Sequence, residues 1–151
     1  FGTAFMKAQM AAGSALPASG SVFLSVKDAD KPAIVDLARR LRAAGLELVA
    51  TRGTQAYLEA HGIPAQRVLK VQEGRPNLED AIRGRQIALI INTPGGAPSQ
   101  YDGYVLRRAA VMSNLPYTTT LAGASAAVAG IEALAHARIE VRALQDYHRA
   151  G

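Results

Sequence analysis

Residues 87–91 read Ile-Ala-Leu-Ile-Ile, an apolar run with no polar break. A strand that is wet on one face alternates apolar and polar side chains, so a continuous run needs cover on both faces, as in the centre of a parallel sheet. Parallel neighbours need crossover connections, and the chain on either side supplies helical patterns of suitable length. Upstream, residues 31–44 place Ile34, Leu37, Ala38 and Leu41 at the i, i+3, i+4, i+7 spacing of an amphipathic helix, with Gly45 as its stop. Short β-rich runs precede and follow it at 21–26 (SVFLSV) and 46–50 (LELVA). A second helix is predicted over 54–60, ended by Gly62 and Pro64, then a strand over 67–71 and a short helix over 77–83. Downstream come a helix over 101–113, a strand over 117–120 and an Ala-rich helix over 123–135. Ile139, Val141 and Leu144 fall among polar residues and predict a last, lightly buried edge strand. The alternation gives an α/β domain of three layers around a mostly parallel five-stranded sheet, with that edge strand added.

A chain of 151 residues that is 49% apolar has enough material for one domain with a sizeable core. Without cysteine it has no disulfides and no thiolate metal ligands, which fits a reducing, cytoplasmic setting. Seventeen Lys and Arg against 12 Asp and Glu give a net charge of +5, but the basic residues are scattered. The densest group, Arg39-Arg40-Leu41-Arg42, lies on the first amphipathic helix, and 5% aromatics leave little to stack on bases, so no nucleic-acid partner is expected. No apolar run reaches the length of a membrane span and no secretory leader is visible. The start at Phe1 rather than Met reads as a piece of a longer chain. Residues 1–12 (FGTAFMKAQMAA) carry Phe1, Phe5, Met6 and Met10 at roughly helical spacing and are expected to pack on a body outside this chain; 13–20 (GSALPASG) read as a linker, and 21–151 as the domain.

In an open parallel sheet, ligands bind beyond the carboxyl ends of the strands. Five segments fall there: Ser25 with Lys27 and Lys31 after the first strand, Asp28 and Asp30 lying between the lysines; Thr51-Arg52-Gly53-Thr54 after the second; Lys70 at the third; Asn92-Thr93-Pro94-Gly95-Gly96 after the fourth; and Thr118-Thr119-Thr120 in the fifth. Thr-Arg-Gly-Thr opens a helix, whose unpaired N–H groups and dipole suit a phosphate. On local sequence alone, a threonine that caps the helix is the simpler reading. Neither a G-x-G-x-x-G fingerprint nor a G-x-x-x-x-G-K-[ST] loop occurs. His61, His136 and His148 stand far apart without a second ligand at metal spacing, and Ser125 has no assignable His or Asp partner, so neither a metal nor a catalytic residue is assigned.

Taken together, SVKDADKPAIVDLARRLRAAGLELVATRGTQAYLEAHGIPAQRVLKVQEGRPNLEDAI, INTPGG, YDGYVLRRAAV and YTTTLAGASAAV resemble the C-terminal regulatory domain of the large subunit of carbamoyl phosphate synthetase, bacterial type. That domain belongs to the methylglyoxal-synthase-like group, with a Rossmann-like sheet, and FGTAFMKAQMAAG resembles the end of the preceding synthetase region. The resemblance implies a non-catalytic effector domain. Its parent ligase makes carbamoyl phosphate from glutamine, bicarbonate and two ATP with Mg2+ (or Mn2+), for the pyrimidine and arginine pathways. The catalysis belongs to upstream ATP-grasp domains in cis and to a small glutaminase subunit, and no cofactor is implied for this chain itself. UMP inhibits relatives, while IMP and ornithine activate or modulate them. By the same resemblance, Lys31, Thr51, Thr54 and Lys70 match the phosphate-holding positions. Ser25, Asn92, Thr93 and Asp102 match the ribose and base side, and Tyr117 and Thr119 match the ornithine site. The resemblance makes the phosphate reading of Thr51 and Thr54 the favoured one. Pro94 stands where some relatives carry a hydroxyl, and Ala97-Pro98 where some carry arginines, which bears on base preference.

Three rivals are weighed against this reading. Methylglyoxal synthase acts on a triose phosphate at an equivalent pocket, but needs an Asp after a Gly-Gly pair and a following His as acid–base groups. Here Gly95-Gly96 is followed by Ala97-Pro98 with no His nearby. The cyclohydrolase domain of purine synthesis has a lysine-rich KTLHP-type segment, where this chain has Lys70-Val71-Gln72-Glu73-Gly74-Arg75-Pro76. A vestigial scaffold is the third, and the retained Lys31, Thr51, Thr54 and Lys70 argue against it.

Overall fold

The computed structural model describes residues 16–69, 77–84, 86–93 and 97–150, apart from the side chains at 97–103, 105 and 145–150. Strand β1 (Ser21–Ser25) leads through a single 3-10 turn (Asp28–Asp30) into helix α1 (Lys31–Ala43). Then follow β2 (Glu47–Ala50), α2 (Arg52–Ala60), β3 (Gln66–Arg67), α3 (Leu78–Arg83), β4 (Ile87–Asn92), α4 (Ala97–Met112), β5 (Tyr117–Thr118) and α5 (Leu121–Ala150). The strands among the described residues form one sheet in the order β3-β2-β1-β4-β5, with each neighbouring pair parallel.

The chain therefore begins in the middle of its sheet, winds outward to β3 and returns across β1 to build β4 and β5. Val22, Phe23 and Leu24 of β1 are fully buried, as expected for a strand covered on both faces. Val22, Leu24, Leu89 and Ile91 pack with Ile34 and Leu41 of α1 and Ala124, Ala127 and Val128 of α5. On the opposite face, Phe23 and Ile90 pack with Leu78 and Ile82 of α3 and Leu106 and Ala110 of α4. A register irregularity between Ser21 and Val22, where their β4 partners step from Ile87 to Leu89, brings Ile87 into the same cluster as Ile90.

Helix boundaries follow local chemistry. Pro32 sits in the first turn of α1, where its missing N–H costs nothing. At the other end Gly45 adopts φ +95°, and Gly45 N–H to Arg42 O (3.0 Å) with Leu46 N–H to Leu41 O (3.1 Å) complete a Schellman stop. Helix α3 is only six residues long and depends on its cap. The Asn77 side chain accepts from the N–H groups of Glu79 (3.0 Å) and Asp80 (3.3 Å), while the Asp80 carboxylate accepts from Asn77 N–H (2.8 Å). Asn77→Ala is expected to cost about 1 kcal/mol in urea-induced unfolding; an unchanged midpoint would show the reciprocal cap to be idle. Between the helices, Arg40 on α1 pairs with Glu132 on α5 (Nε to Oε2, 3.0 Å), and these hydrogen bonds hold the Glu132 carboxyl below the usual carboxylate range.

Several sequence expectations are corrected. No edge strand forms at Ile139, Val141 and Leu144: all three lie on α5, 67%, 54% and 61% exposed. Their spacing imitates alternation over too few residues to outweigh the surrounding Ala, Glu, Arg, Gln and Leu, which are strong helix formers continuing a helix already begun. Helix α2 starts at Arg52 rather than 54, α4 at Ala97 rather than 101, and β5 stops at Thr118 rather than 120. Strand β3 starts one residue earlier than predicted and covers only Gln66–Arg67, so residues 68–69 are not strand, while residues 70–71 of that expectation lie outside the described residues. Within the expected linker, Leu16 is buried in the cluster beneath α1 and α5, so that end of the segment is anchored to the domain. The helix expected over 1–12 lies outside the described residues.

Candidate functional site

Because β2 and β4 leave the central strand on opposite sides, the carboxyl end of β1 is a topological switch point, where the connections diverge and leave a crevice. Ser25 at that end is in register with Asn92 of β4, and the preceding Leu24 with Ala50 of β2, which sets Thr51 next to Ser25. The register thus gathers residues 25, 51 and 92 on one rim.

Side chains lock this rim together. The Thr51 hydroxyl donates to Ser25 Oγ (3.3 Å), and Val26 N–H donates to Thr54 Oγ1 (3.2 Å). Lys27 N–H donates to Thr93 Oγ1 (3.0 Å), and Thr93 N–H to Ser25 O (2.9 Å). Thr51, Thr54, Asn92 and Thr93 are each about 95% buried. The cap reading of the threonines is overturned here. Thr51 occupies the position before α2 with an extended backbone, yet makes no side-chain cap bond, and the Thr54 hydroxyl is turned to β1. The first-turn N–H groups of α2 are therefore without a side-chain cap among the described residues, and the positive end of a nine-residue helix faces the crevice.

Lys31 opens α1 and reaches across to this helix end. Its Nζ would stand 3.2 Å from a Cβ placed on Gly53, so the ammonium lies against the first turn of α2, where glycine leaves it room. The lysine side chain is 16% exposed and pairs with Asp28, a carboxylate 95% exposed. That hydrogen bond, and then the charge of the ammonium, hold the Asp28 carboxyl below its ordinary range.

On the other flank, Asn92 Nδ2 donates to Tyr117 Oη (3.0 Å), and the Arg107 guanidinium lies 5.9 Å from the Tyr117 ring centre. Thr118 beside it is buried, with its hydroxyl making no hydrogen bond among the described residues. Thr119 lies just past β5, partly exposed and without a bond to the rim among the described residues. Lys70 lies outside the described residues, as do Pro94, Gly95, Gly96 and the side chain of Asp102. Among the described residues the structure brings together Ser25, Lys31, Thr51, Thr54, Asn92 and Thr93, with Tyr117 attached through Asn92, and leaves Thr119 apart. The sequence reading missed two features: the Asp28–Lys31 pair, signalled by an i, i+3 spacing across a tight turn, and the Asn92–Tyr117 bond, which had no local signal because it joins residues 25 apart. No group of three His, Asp or Glu side chains among the described residues comes together as a metal site. No helix among them is long and apolar enough to cross a membrane.

A cation, uncapped helix N–H groups and buried hydroxyls meet at the switch point of a parallel α/β sheet. The MGS-like domain family matches residues 33–119, and the chain belongs to that family. It is 51% identical over 147 residues to the carbamoyl phosphate synthase large chain of Myxococcus xanthus (strain DK1622), an alignment covering 97% of this chain and 14% of the relative. It is 50% identical over 150 residues to the C-terminal section of that large chain from Methanopyrus kandleri (strain AV19), covering 99% of this chain and 28% of the relative. The chain thus spans a small part of the relatives it matches. In three dimensions it is similar to a methylglyoxal synthase from Elizabethkingia anophelis NUHP1, with a TM-score of 0.61 and 23% identity over 75% of this chain and 79% of that one. This last likeness concerns the fold.

Proposed function

We propose that this chain is the effector-binding domain of a carbamoyl phosphate synthase large chain, and that it binds the phosphate of a nucleoside monophosphate at the rim of β1, β2 and β4. The observation that carries the reading is the Lys31 ammonium lying against the uncapped first turn of α2, flanked by the buried hydroxyls of Thr51 and Thr54. A phosphomonoester suits that arrangement, because charge-assisted hydrogen bonds from an ammonium and from helix N–H groups add on one tetrahedral anion. Lys70 completes the phosphate side. Ser25, Asn92, Thr93 and Asp102 serve the ribose and base, with UMP as inhibitor and IMP as activator. Tyr117 and Thr119 contribute to an ornithine site at the boundary with the upstream ATP-grasp domains.

In this reading the domain performs no catalysis. The parent ligase makes carbamoyl phosphate from glutamine-derived ammonia and bicarbonate, consuming two ATP with Mg2+ (or Mn2+) in the cytoplasm, with a small glutaminase subunit supplying the ammonia. A nucleotide bound here changes that distant chemistry only through differential affinity for two states of the whole enzyme. Methylglyoxal synthesis is disfavoured by the Ala97-Pro98 that follows Gly95-Gly96, where an acid–base pair would be required.

Calorimetric titration of the chain with UMP and with IMP tests the proposal. Saturable one-to-one binding of at least one of them is expected, with no turnover of a triose phosphate. A folded chain that binds neither nucleotide overturns it.

A further inference from the structure

Asp28 has no part in the function proposed above, yet its carboxylate lies at the entrance of an anion site. It is the first residue of the 3-10 turn Asp28–Asp30, and the Lys31 N–H donates to its carbonyl, so residues 28 and 31 share one side of the turn. The turn is fixed at its root: Val26 N–H is held by Thr54, Lys27 N–H by Thr93, and Asp30 N–H by Lys27 O (3.0 Å). Its backbone is thereby tied to two flanks of the crevice, while the Asp28 side chain, 95% exposed, is free to rotate without uncovering apolar surface.

The ammonium it pairs with lies where the positive end of α2 already disfavours a second cation. A carboxylate beside it offsets both charges, and the lowered proton affinity of Asp28 keeps that charge in place. We propose that Asp28 is a built-in competitor for the phosphate. It holds the Lys31 ammonium against α2 in the free protein, and an incoming phosphomonoester must displace it. The inference rests on the nucleotide reading of the same site and adds to it a residue that sets affinity rather than supplying it. A singly charged anion replaces the carboxylate with little gain, whereas a dianionic phosphomonoester brings twice the charge to the ammonium and the helix end. The latch thus favours phosphomonoesters over the singly charged anions around them.

The sign of one mutational effect decides the matter. Asp28→Asn keeps the shape of the side chain and removes its charge, and it is expected to tighten binding of UMP and of inorganic phosphate to this chain by about three- to tenfold, as one charge a few ångströms from the phosphate predicts in a solvent-exposed setting. Asp28→Glu, which keeps the charge, should stay within about twofold of the wild type on the same reasoning. Asp30→Asn removes an equal charge two residues away that makes no pair with Lys31, and should move affinity less than Asp28→Asn does. A residue that merely orients Lys31 for the ligand gives the opposite sign, because its loss weakens binding. Wild-type binding with Asp28→Asn unchanged or weaker overturns the latch and leaves the nucleotide site standing. Failure of both wild type and variant to bind either probe, with thermal unfolding intact, overturns the site and the latch together.

Discussion

Replacing Lys31 with alanine is expected to weaken UMP binding by about 30- to 100-fold, the range set by losing a charge-assisted hydrogen bond to phosphate. The unfolding midpoint should move little. Lys31 is the first residue of α1, its ion-pair partner Asp28 is 95% exposed, and Pro32 still starts the helix. The loss concentrates on affinity because the rest of the proposed site does not depend on the ammonium: Thr51 remains bonded to Ser25, Thr54 to Val26, and the first turn of α2 keeps its direction. Isothermal titration of the two proteins under one buffer and salt condition measures the change. A loss smaller than threefold would mean that the phosphate binds elsewhere.

The largest stability effect is expected at Phe23. This ring belongs to the central strand, is fully buried, and shares a cluster with Leu78 and Ile82 of α3 and Leu106 of α4. Phe23→Ala should cost about 3–5 kcal/mol, the lost transfer free energy plus the cavity left where neighbours cannot close in. Closure is hindered because the strand is held on both sides, by β2 and β4, and its backbone cannot shift without breaking two ladders. Helix α3, six residues long, relies on that cluster and on the Asn77 cap for its place. Urea titration followed by far-ultraviolet circular dichroism gives the figure; a cost below about 1 kcal/mol would mean that the α3–α4 face repacks freely.

Where the sequence could be read and where it could not has a physical pattern. The run at 87–91 located β4 and the parallel sheet, because full burial leaves an unbroken apolar signature, and Ile34, Leu37, Ala38 and Leu41 located α1 by period and stop residue. The strand-end rule then selected Ser25, Lys31, Thr51, Thr54, Asn92 and Thr93, all of which the register brings to one crevice. Misreadings came where local pattern carries little information. Three apolar residues at 139, 141 and 144 mimic a strand, while the helix that contains them is long and exposed on that side. The threonine hydroxyls read locally as caps because a sequence window sees only the helix that follows. It cannot see that the N–H of Val26, just past β1 and 28 residues away, donates to the Thr54 hydroxyl instead. Long-range partners such as Asn92 and Tyr117 are set by strand order, and strand order has no local signature.

The central place of β1 has a consequence for the time course of folding. Ser25, Lys31, Thr51 and Thr54 all lie within the first βαβα stretch, whose contacts close over short loops. Thr93 joins the turn after β1 only by reaching Lys27, 66 residues away. Loop-closure entropy makes short-range pairing of β1 with β2 the earlier event and the insertion of β4 the later one. The half of the crevice that carries Lys31, Thr51 and Thr54 is thus open to assembly by local contacts before its other wall arrives, and if it holds phosphate as proposed, refolding in the presence of inorganic phosphate should favour that early half.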